Sequence, residues 1–200
     1  ACTGDQGMRD AVATCEAITG LVELSKEQVI PFSTGVIGEY LPVDKLQAVL
    51  PEAYAQLSEE SAAWGFAADA IMTTDTRPKG ASVQVEYQGQ HIAVTGIAKG
   101  AGMIRPNMAT MLAFITTDAA IAQPLLDELV KKASNCSFNR ISVDGDTSTN
   151  DACMLVATGK SGVPLIHTVE GELYTALEKA VIQVHQELAQ AIIKDAEGAT

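Results

Sequence analysis

The chain has 200 residues, of which 47% are hydrophobic and 19% are charged, and this composition is typical of a folded domain. Its formal net charge of −12 and its lack of clustered Lys and Arg argue against a nucleic-acid or anionic-membrane partner. No apolar run reaches the ~18 residues that a membrane span requires. Four cysteines without a CxxC motif or signal peptide predict reduced thiols in a cytoplasmic protein with no metal site.

Hydrophobic periodicity predicts the elements of the first half of the chain. A helix is expected over 5–24, followed by a strand within 28–42 that runs into a Gly-rich loop. A second helix is expected within 42–57 and should be broken at Pro51. A third helix begins at 61 and leads into a short strand near 72–76.

The second half mixes a hairpin with helices. Alternating residues on both sides of Gln88-Gly89 predict a hairpin over 81–100. The other expected elements are a buried strand (111–119), a helix with Pro124 in its first turn (122–138), two strands around a polar loop (140–159) and a long amphipathic helix (171–198) with Leu177, Val181, Val184, Leu188 and Ile192 on one face. This order predicts a layered α/β domain and not a βαβ array.

Two loops resemble ligand-binding motifs but depart from them. The segment 96–102 fits neither phosphate-loop pattern, GxxxxGK[ST] or GxGxxG. The segment 144–151, DGDTSTND, has oxygen-bearing side chains at calcium-loop positions one, three and five, but Thr149 and Leu155 stand where Gly and Glu are needed. A hydrogen-bonded polar turn is the better interpretation. The three histidines are scattered without a Ser or Cys partner, and we expect them on the surface or on helix faces.

The segment KGAGMIRPNMATMLAF, residues 99–114, joins a Gly- and Pro-containing loop to an apolar strand through Ala109-Thr110. A Thr hydroxyl needs a base, and cleavage of the peptide bond before it supplies one. The freed α-amine has a pKa of about 7.7–8, against ~10.4 for a lysine, so it is partly neutral near pH 7. The residues alone leave two interpretations, a self-cleaving nucleophile or a core threonine that opens a buried strand.

Further motifs accompany this segment, namely ACTGDQG, FSTGVIGEYLP, IMTTDTRPK, SFNRISVDGDTSTND and DAEGAT. Together they resemble the bifunctional ornithine acetyltransferase / N-acetylglutamate synthase family of arginine biosynthesis, in family order from residue 2 to residue 200. The resemblance implies an α-β-β-α sandwich of the kind shared with self-cleaving aminopeptidases. It also implies that residues 1–200 are one segment of a longer domain, truncated at both ends and inactive alone.

The resemblance assigns the reacting groups. Thr110 is the nucleophile, released when the Ala109-Thr110 bond breaks, so that 1–109 ends an α chain and 110–200 begins a β chain. Thr3 and Gly4 of the CTG turn form the oxyanion hole that serves both self-cleavage and acetyl transfer.

Substrate contacts follow from the same resemblance. Lys99 and a threonine of TTDT grip the substrate carboxylate, and we choose Thr74 over Thr73 or Thr76. Glu197 of DAEG lies near the substrate amine.

The implied reaction moves an acetyl group from N-acetylornithine to glutamate through an acetyl-Thr intermediate, in ping-pong order. Acetyl-CoA is a possible alternative donor, no cofactor is expected, and the cleaved chains are expected to assemble as α2β2. An aminopeptidase or amidase of the related self-cleaving fold is the alternative enzyme, and a non-catalytic binding domain is the alternative without chemistry.

Overall fold

A computed structural model describes residues 2–105 and 111–198 as two compact units, 1–63 and 64–200. The helices are α1 Gly4–Thr19, α2 Val43–Ala55, α3 Ser61–Ala70, α4 Gln123–Asn135 and α5 Glu172–Lys194. The strands are β1 Lys79–Tyr87, β2 Gln90–Lys99, β3 Leu112–Thr117 and β4 Ala152–Ala157. Two short 3₁₀ turns lie at Lys26–Gln28 and Phe138–Arg140.

The first unit is thinly packed. Helices α1 and α2 contact each other, and the Gln47 amide donates to the carbonyl of Ala13 at 3.4 Å. Among the described residues of this unit only Asp10 and Cys15 are buried. Large apolar side chains such as Val36 and Leu57 remain 72% and 75% exposed, so this unit has little core of its own.

The second unit contains a four-stranded sheet in the order β1-β2-β3-β4. Strand β2 is antiparallel to both β1 and β3, and β4 runs parallel to β3. Helix α5 packs on β1 and β2, while α4 packs on β4 and α5. The described residues of this unit therefore form one sheet layer and one helical layer.

The sheet and α5 meet closely at Gly96 of β2. A Cβ at this position would lie 2.8 Å from Cγ1 of Ile115 and 3.2 Å from side-chain atoms of Val184 and Leu188. The five α5 residues of the expected apolar face are all fully buried: Leu177, Val181, Val184, Leu188 and Ile192. Only a residue without a side chain lets the helix lie this near the strand.

The predicted layered α/β class is confirmed, as are the hairpin, the buried strand, the Pro124 helix and the long C-terminal helix. None of the helices among residues 2–105 and 111–198 is long and apolar enough to cross a bilayer.

Four element predictions were wrong in detail. Residues 29–42 contain no strand, because Pro31 lacks an amide donor and Gly38 has a φ of +85°. Helix α2 continues through Pro51, which is exposed, so the carbonyl that loses its helical donor is open to water. Residues 71–78 form turns and bends in place of a strand, and residues 138–140 form a 3₁₀ turn with no strand before the polar loop.

Candidate active site

Lys99 ends β2 opposite Leu112 and is only 1% exposed. Burial lowers the pKa of its ammonium, while the carboxylates of Asp75 and Asp151 act in the opposite direction. A buried lysine thus feels the charge of two carboxylates, at the point where β2 ends.

Asp75 connects this lysine to the neighbouring loops. Its carboxylate accepts hydrogen bonds from the backbone N–H of Gly100 at 2.7 Å and of Thr73 at 3.1 Å, and from the Lys79 ammonium at 2.5 Å. Burial alone would raise the pKa of Asp75, but the Lys79, Gly100 and Thr73 donors outweigh it and hold the pKa below its ordinary value. Asp75 is therefore an ionised group that holds the backbone directly after Lys99.

The same network reaches the end of α5. Lys79 also donates to Asp195 at 2.6 Å, and Asp195 accepts the backbone N–H of Thr76 at 3.1 Å and its hydroxyl at short range. Burial opposes ionisation of Asp195, but the Lys79 and Thr76 donors lower its pKa to about 2. The TTDT segment is thereby fixed to both β1 and α5.

The loop after Lys99 is held by a second carboxylate. Met103 has a positive φ of 56°, and its N–H and that of Ile104 donate to Asp144 at 2.6 and 3.0 Å. Desolvation would raise the pKa of Asp144, but the backbone donors of Met103, Asp146 and Ile104 lower it on balance. These bonds hold the backbone just before residue 106.

Asp151 holds the chain after residue 110. Its Oδ1 accepts the N–H of Met111 at 3.0 Å, and the N–H of Ala152 donates to the carbonyl of Met111 at 3.1 Å. Burial raises the pKa of Asp151, partly offset by donors from Ser148 and Met111 and by the charge of Lys99. Its Oδ2 is buried and has no hydrogen-bond partner among the described residues.

Glu197 lies against the same loop. Its N–H donates to the carbonyl of Ala101 at 2.9 Å, and its carboxylate atoms lie 3.0–3.1 Å from the point where Gly102 would carry a Cβ. Glu197 is exposed. The structure thus brings two predicted substrate-binding residues, Lys99 and Glu197, to one loop.

The remaining predicted residues have varied positions. Ala109 and Thr110 lie outside the described residues. Thr74 is exposed and directly precedes Asp75, whereas the hydroxyl of Thr76 is bonded to Asp195. The choice among the TTDT threonines stays a prediction.

Thr3 and Gly4 belong to the first unit, where Thr3 is the N-cap of α1 and Gly4 has a φ of +57°. Both line a cavity of about 550 Å³ together with a second Thr-Gly pair, Thr34 and Gly35. The sequence interpretation missed this second pair, although the signal was present in FSTGVIG as a repeat of the same dipeptide.

One histidine has a cysteine partner that the sequence did not indicate. His185 on α5 is fully buried, and its Nε2 lies 3.6 Å from Sγ of Cys153. Burial lowers the pKa of His185 to about 4 and raises that of Cys153 to about 11. Both groups are neutral at pH 7, so this contact belongs to the core and is no thiolate–imidazolium pair.

No three His, Cys, Asp or Glu side chains converge as a metal site within 2–105 and 111–198. In the second unit, β2 ends at the buried Lys99. The loop that follows is held by the carboxylates of Asp75 and Asp144, and Glu197 lies at its edge. The chain belongs to the ArgJ family, whose model matches residues 1–200. The family resemblance seen in the motifs is confirmed.

Curated relatives agree with this assignment. The chain is 54% identical over 198 residues to the arginine biosynthesis bifunctional protein ArgJ of Pseudomonas syringae pv. tomato and 56% identical to that of Methylococcus capsulatus. Each match covers 99% of this chain and 48% of the relative. The chain therefore spans about half the length of the curated relatives it matches.

Solved structures overlap with smaller parts of the chain. An ArgJ crystal structure from Bacillus halodurans is 39% identical, with a TM-score of 0.40 over 42% of this chain and 39% of that one. An L-aminopeptidase D-Ala-esterase/amidase from Ochrobactrum anthropi is 14% identical, with a TM-score of 0.41 over 59% of this chain and 40% of that one.

Proposed function

We propose that the protein containing this chain is a self-cleaving acetyltransferase of arginine biosynthesis that moves an acetyl group from N-acetylornithine to glutamate. The observation that carries the proposal is membership of the ArgJ family over all 200 residues. The buried Lys99, at the end of the strand that precedes the NMATML segment, adds a suitable carboxylate-binding group. Acetyl-CoA as an alternative acetyl donor, a cytoplasmic location and an α2β2 assembly are part of the same proposal.

Maturation begins with the Thr110 hydroxyl. Its Oγ adds to the carbonyl carbon of Ala109, the carbon–nitrogen bond breaks, and the nitrogen takes a proton to become the α-amine of Thr110. Water then hydrolyses the ester and leaves the Ala109 carboxylate on the α chain. The α-amine, whose pKa in unperturbed peptides is about 7.7–8, becomes the base beside the nucleophile.

Acetyl transfer repeats this chemistry with substrate. Oγ of Thr110 attacks the acetyl carbonyl of N-acetylornithine, ornithine leaves with a proton, and glutamate then takes the acetyl group from the ester. A tetrahedral oxyanion forms in each step, and we assign its donors to Thr3 and Gly4. Loss of one such donor costs about 3–4 kcal/mol of transition-state stabilisation.

Lys99 binds the α-carboxylate that N-acetylornithine and glutamate have in common, with Thr74 beside it. Burial of Lys99 strengthens the charge-assisted hydrogen bond between its ammonium and the substrate carboxylate, because little water competes for the ammonium. Glu197 receives the substrate amine at the edge of the loop. The nearby carboxylates of Asp75 and Asp151 favour the charged form of Lys99 when no substrate is bound.

Intact-mass spectrometry of the full-length protein tests the proposal, with wild type beside Thr110→Ala. We expect two wild-type chains whose masses place the break between Ala109 and Thr110, and one uncut variant chain. A single uncut wild-type chain would refute self-cleavage. Ornithine release from N-acetylornithine should then depend on glutamate, because release at the same rate without glutamate indicates the amidase alternative.

The two Thr-Gly pairs of the first unit can be separated in the same assay. Thr3→Val should lower kcat by about two orders of magnitude if Thr3 supplies an oxyanion donor. Thr34→Val is the matched control, because it changes the same residue type on the wall of the same cavity. A loss of kcat confined to Thr34→Val would indicate that Thr34 and Gly35, in place of Thr3 and Gly4, form the oxyanion hole.

A further inference from the structure

A series of hydrogen bonds joins the loop after β2 to the end of α5. The Gly100 N–H donates to Asp75 at 2.7 Å, and Asp75 also accepts the Lys79 ammonium at 2.5 Å. The same ammonium donates to Asp195 at 2.6 Å. The side chains of Asp75, Lys79 and Asp195 are 3% exposed or less, so little water competes for these bonds. Three buried charged groups therefore hold the two segments together.

The series of contacts closes on itself through Glu197. This residue lies two positions after Asp195, and its N–H donates to the carbonyl of Ala101 at 2.9 Å. Ala101 is buried and directly follows Gly100, where the contacts began. We call the six residues the closed ring: Gly100, Asp75, Lys79, Asp195, Glu197 and Ala101.

Two proposed substrate contacts are attached to the closed ring. Lys99 directly precedes Gly100, and the charge of Asp75 acts on its buried ammonium. Glu197 is itself a member of the ring. The backbone positions from which Lys99 and Glu197 extend are therefore coupled, because a change in their separation must break a hydrogen bond of the ring.

The position of the Glu197 carboxylate depends on Gly102. A Cβ on Gly102 would lie 3.0 Å from Cδ and Oε2 of Glu197 and 3.1 Å from Oε1. The carboxylate thus lies against the loop that begins after Lys99, in the space that a side chain at position 102 would need. The φ of Gly102 is not positive, so an alanine there would displace the carboxylate without straining the backbone.

We propose that the closed ring sets the separation of Lys99 and Glu197 and thereby selects the side-chain length of the acetylated diamino acid. Lys99 binds the α-carboxylate and Glu197 binds the side-chain ammonium, so a side chain one methylene shorter or longer fits only one of the two contacts. Asp75, Lys79 and Asp195 are positioning residues, because they act through Lys99 and Glu197. This inference rests on the proposed function.

The experiment uses the matured full-length protein and changes the ring at two separate places. Gly102→Ala displaces the carboxylate, and Asp195→Asn removes one of the buried charges. Gly80→Ala is the matched glycine control, since its nearest atom lies at 3.8 Å, and Lys194→Met changes an exposed charge directly before Asp195. We would measure the thermal midpoint, and kcat and KM for N-acetylornithine and for its shorter and longer homologues, Nα-acetyldiaminobutyrate and Nα-acetyllysine.

We expect wild type to prefer N-acetylornithine over both homologues about tenfold or more in kcat/KM, because a misfit of one methylene is typically worth that much. In Gly102→Ala and Asp195→Asn this preference should fall about fivefold or more, mainly through a higher KM for N-acetylornithine. A purely structural role would lower the thermal midpoint and the rates for all the substrates alike. Both controls should keep the wild-type preference. A preference within twofold of wild type in either Gly102→Ala or Asp195→Asn would overturn the proposal.

Asp195→Glu takes the place of Asp195→Asn if that variant does not fold. It keeps the buried charge and lengthens the ring by one methylene, so a preference reduced about fivefold supports the proposal and a wild-type preference overturns it. The proposed function fails separately, because a wild type that releases no ornithine from N-acetylornithine refutes acetyl transfer itself. A wild type and variants that all transfer acetyl groups with the same preference would refute only the role of the ring.

Discussion

The Lys79 ammonium lies 2.6 Å from Asp195 and joins the beginning of β1 to the end of α5. The same ammonium lies 2.5 Å from Asp75, and the three side chains are only 1%, 3% and 0% exposed. One buried cation is thus shared by two buried carboxylates. Because Asp75 also binds the N–H of Gly100, this triad supports the loop that follows Lys99.

Removal of the shared cation should destabilise the protein strongly. Lys79→Met removes the one cation that Asp75 and Asp195 share, although Arg77 remains 3.8 Å from Asp195, and we expect a loss of about 3–5 kcal/mol in the free energy of unfolding. Urea denaturation of the full-length protein measures it. Lys132→Met is the control, because its ion pair with Glu178 has a similar distance of 2.6 Å but Lys132 is 54% exposed. Lys132→Met should lose about 0–1 kcal/mol in the free energy of unfolding. Equal losses in Lys79→Met and Lys132→Met would contradict the view that burial makes the Lys79 ion pairs more important.

His185 should make the fold sensitive to mild acid. Burial lowers its pKa to about 4 in the folded protein, against an ordinary value of about 6.5. Its contribution to stability is therefore complete above pH 6.5 and declines as the pH falls from about 6.5 to 4. The urea midpoint should drop across this range in wild type and drop less in His185→Gln. His91→Gln, at an exposed position of the hairpin, is the control. An identical pH dependence in His185→Gln and wild type would contradict this prediction.

Gly96 should not tolerate a side chain. A Cβ there would lie 2.8 Å from Ile115 and 3.2 Å from Val184 and Leu188, so Gly96→Ala must displace α5 or the β3 side chain. We expect a loss of about 1–3 kcal/mol, measured by thermal or urea unfolding. Gly80→Ala is the matched strand control, since its nearest atom lies at an ordinary 3.8 Å. A Gly96→Ala protein as stable as Gly80→Ala would show that the helix is free to shift.

Lys99 should act on substrate binding. Lys99→Met removes a charge-assisted contact to the substrate carboxylate, worth about 1.5–3 kcal/mol, which corresponds to a KM for N-acetylornithine raised about 10–150-fold. Steady-state kinetics of the full-length enzyme measure this change. Lys131→Met, at an exposed position on α4, should leave KM as in wild type. An unchanged KM in mature Lys99→Met would remove Lys99 from the substrate site.

Helices and strands could be predicted where a strong hydrophobic periodicity ended at clear turn residues. Helix α5 has an apolar residue every three or four positions, and β1 and β2 alternate on either side of Gln88-Gly89. The strand predicted within 28–42 was wrong, because a few apolar residues do not reveal whether a partner strand is available. The long extent of α2 depended on solvent exposure at Pro51, which the local sequence does not encode.

The candidate site divides in the same way. Lys99 and Glu197 were found through motifs, and the structure places both at one loop. Asp144 and Asp151 were interpreted only as part of a polar turn, and Asp75 was given no role, since nothing in their neighbours distinguishes a buried carboxylate from a solvated one. Each acquires its role from backbone N–H groups that lie 25 to 41 residues away in the chain.

The sequence by itself determined the family, the cationic residue at the end of β2 and the threonine proposed as nucleophile, because these depend on residue types at short spacing. Only the tertiary structure decided which carboxylates hold the chain on both sides of residues 106–110 and which lysine is shared between β1 and α5. The physical reason is that burial and hydrogen-bond partners set the charge and position of a carboxylate, and both come from residues distant in the chain.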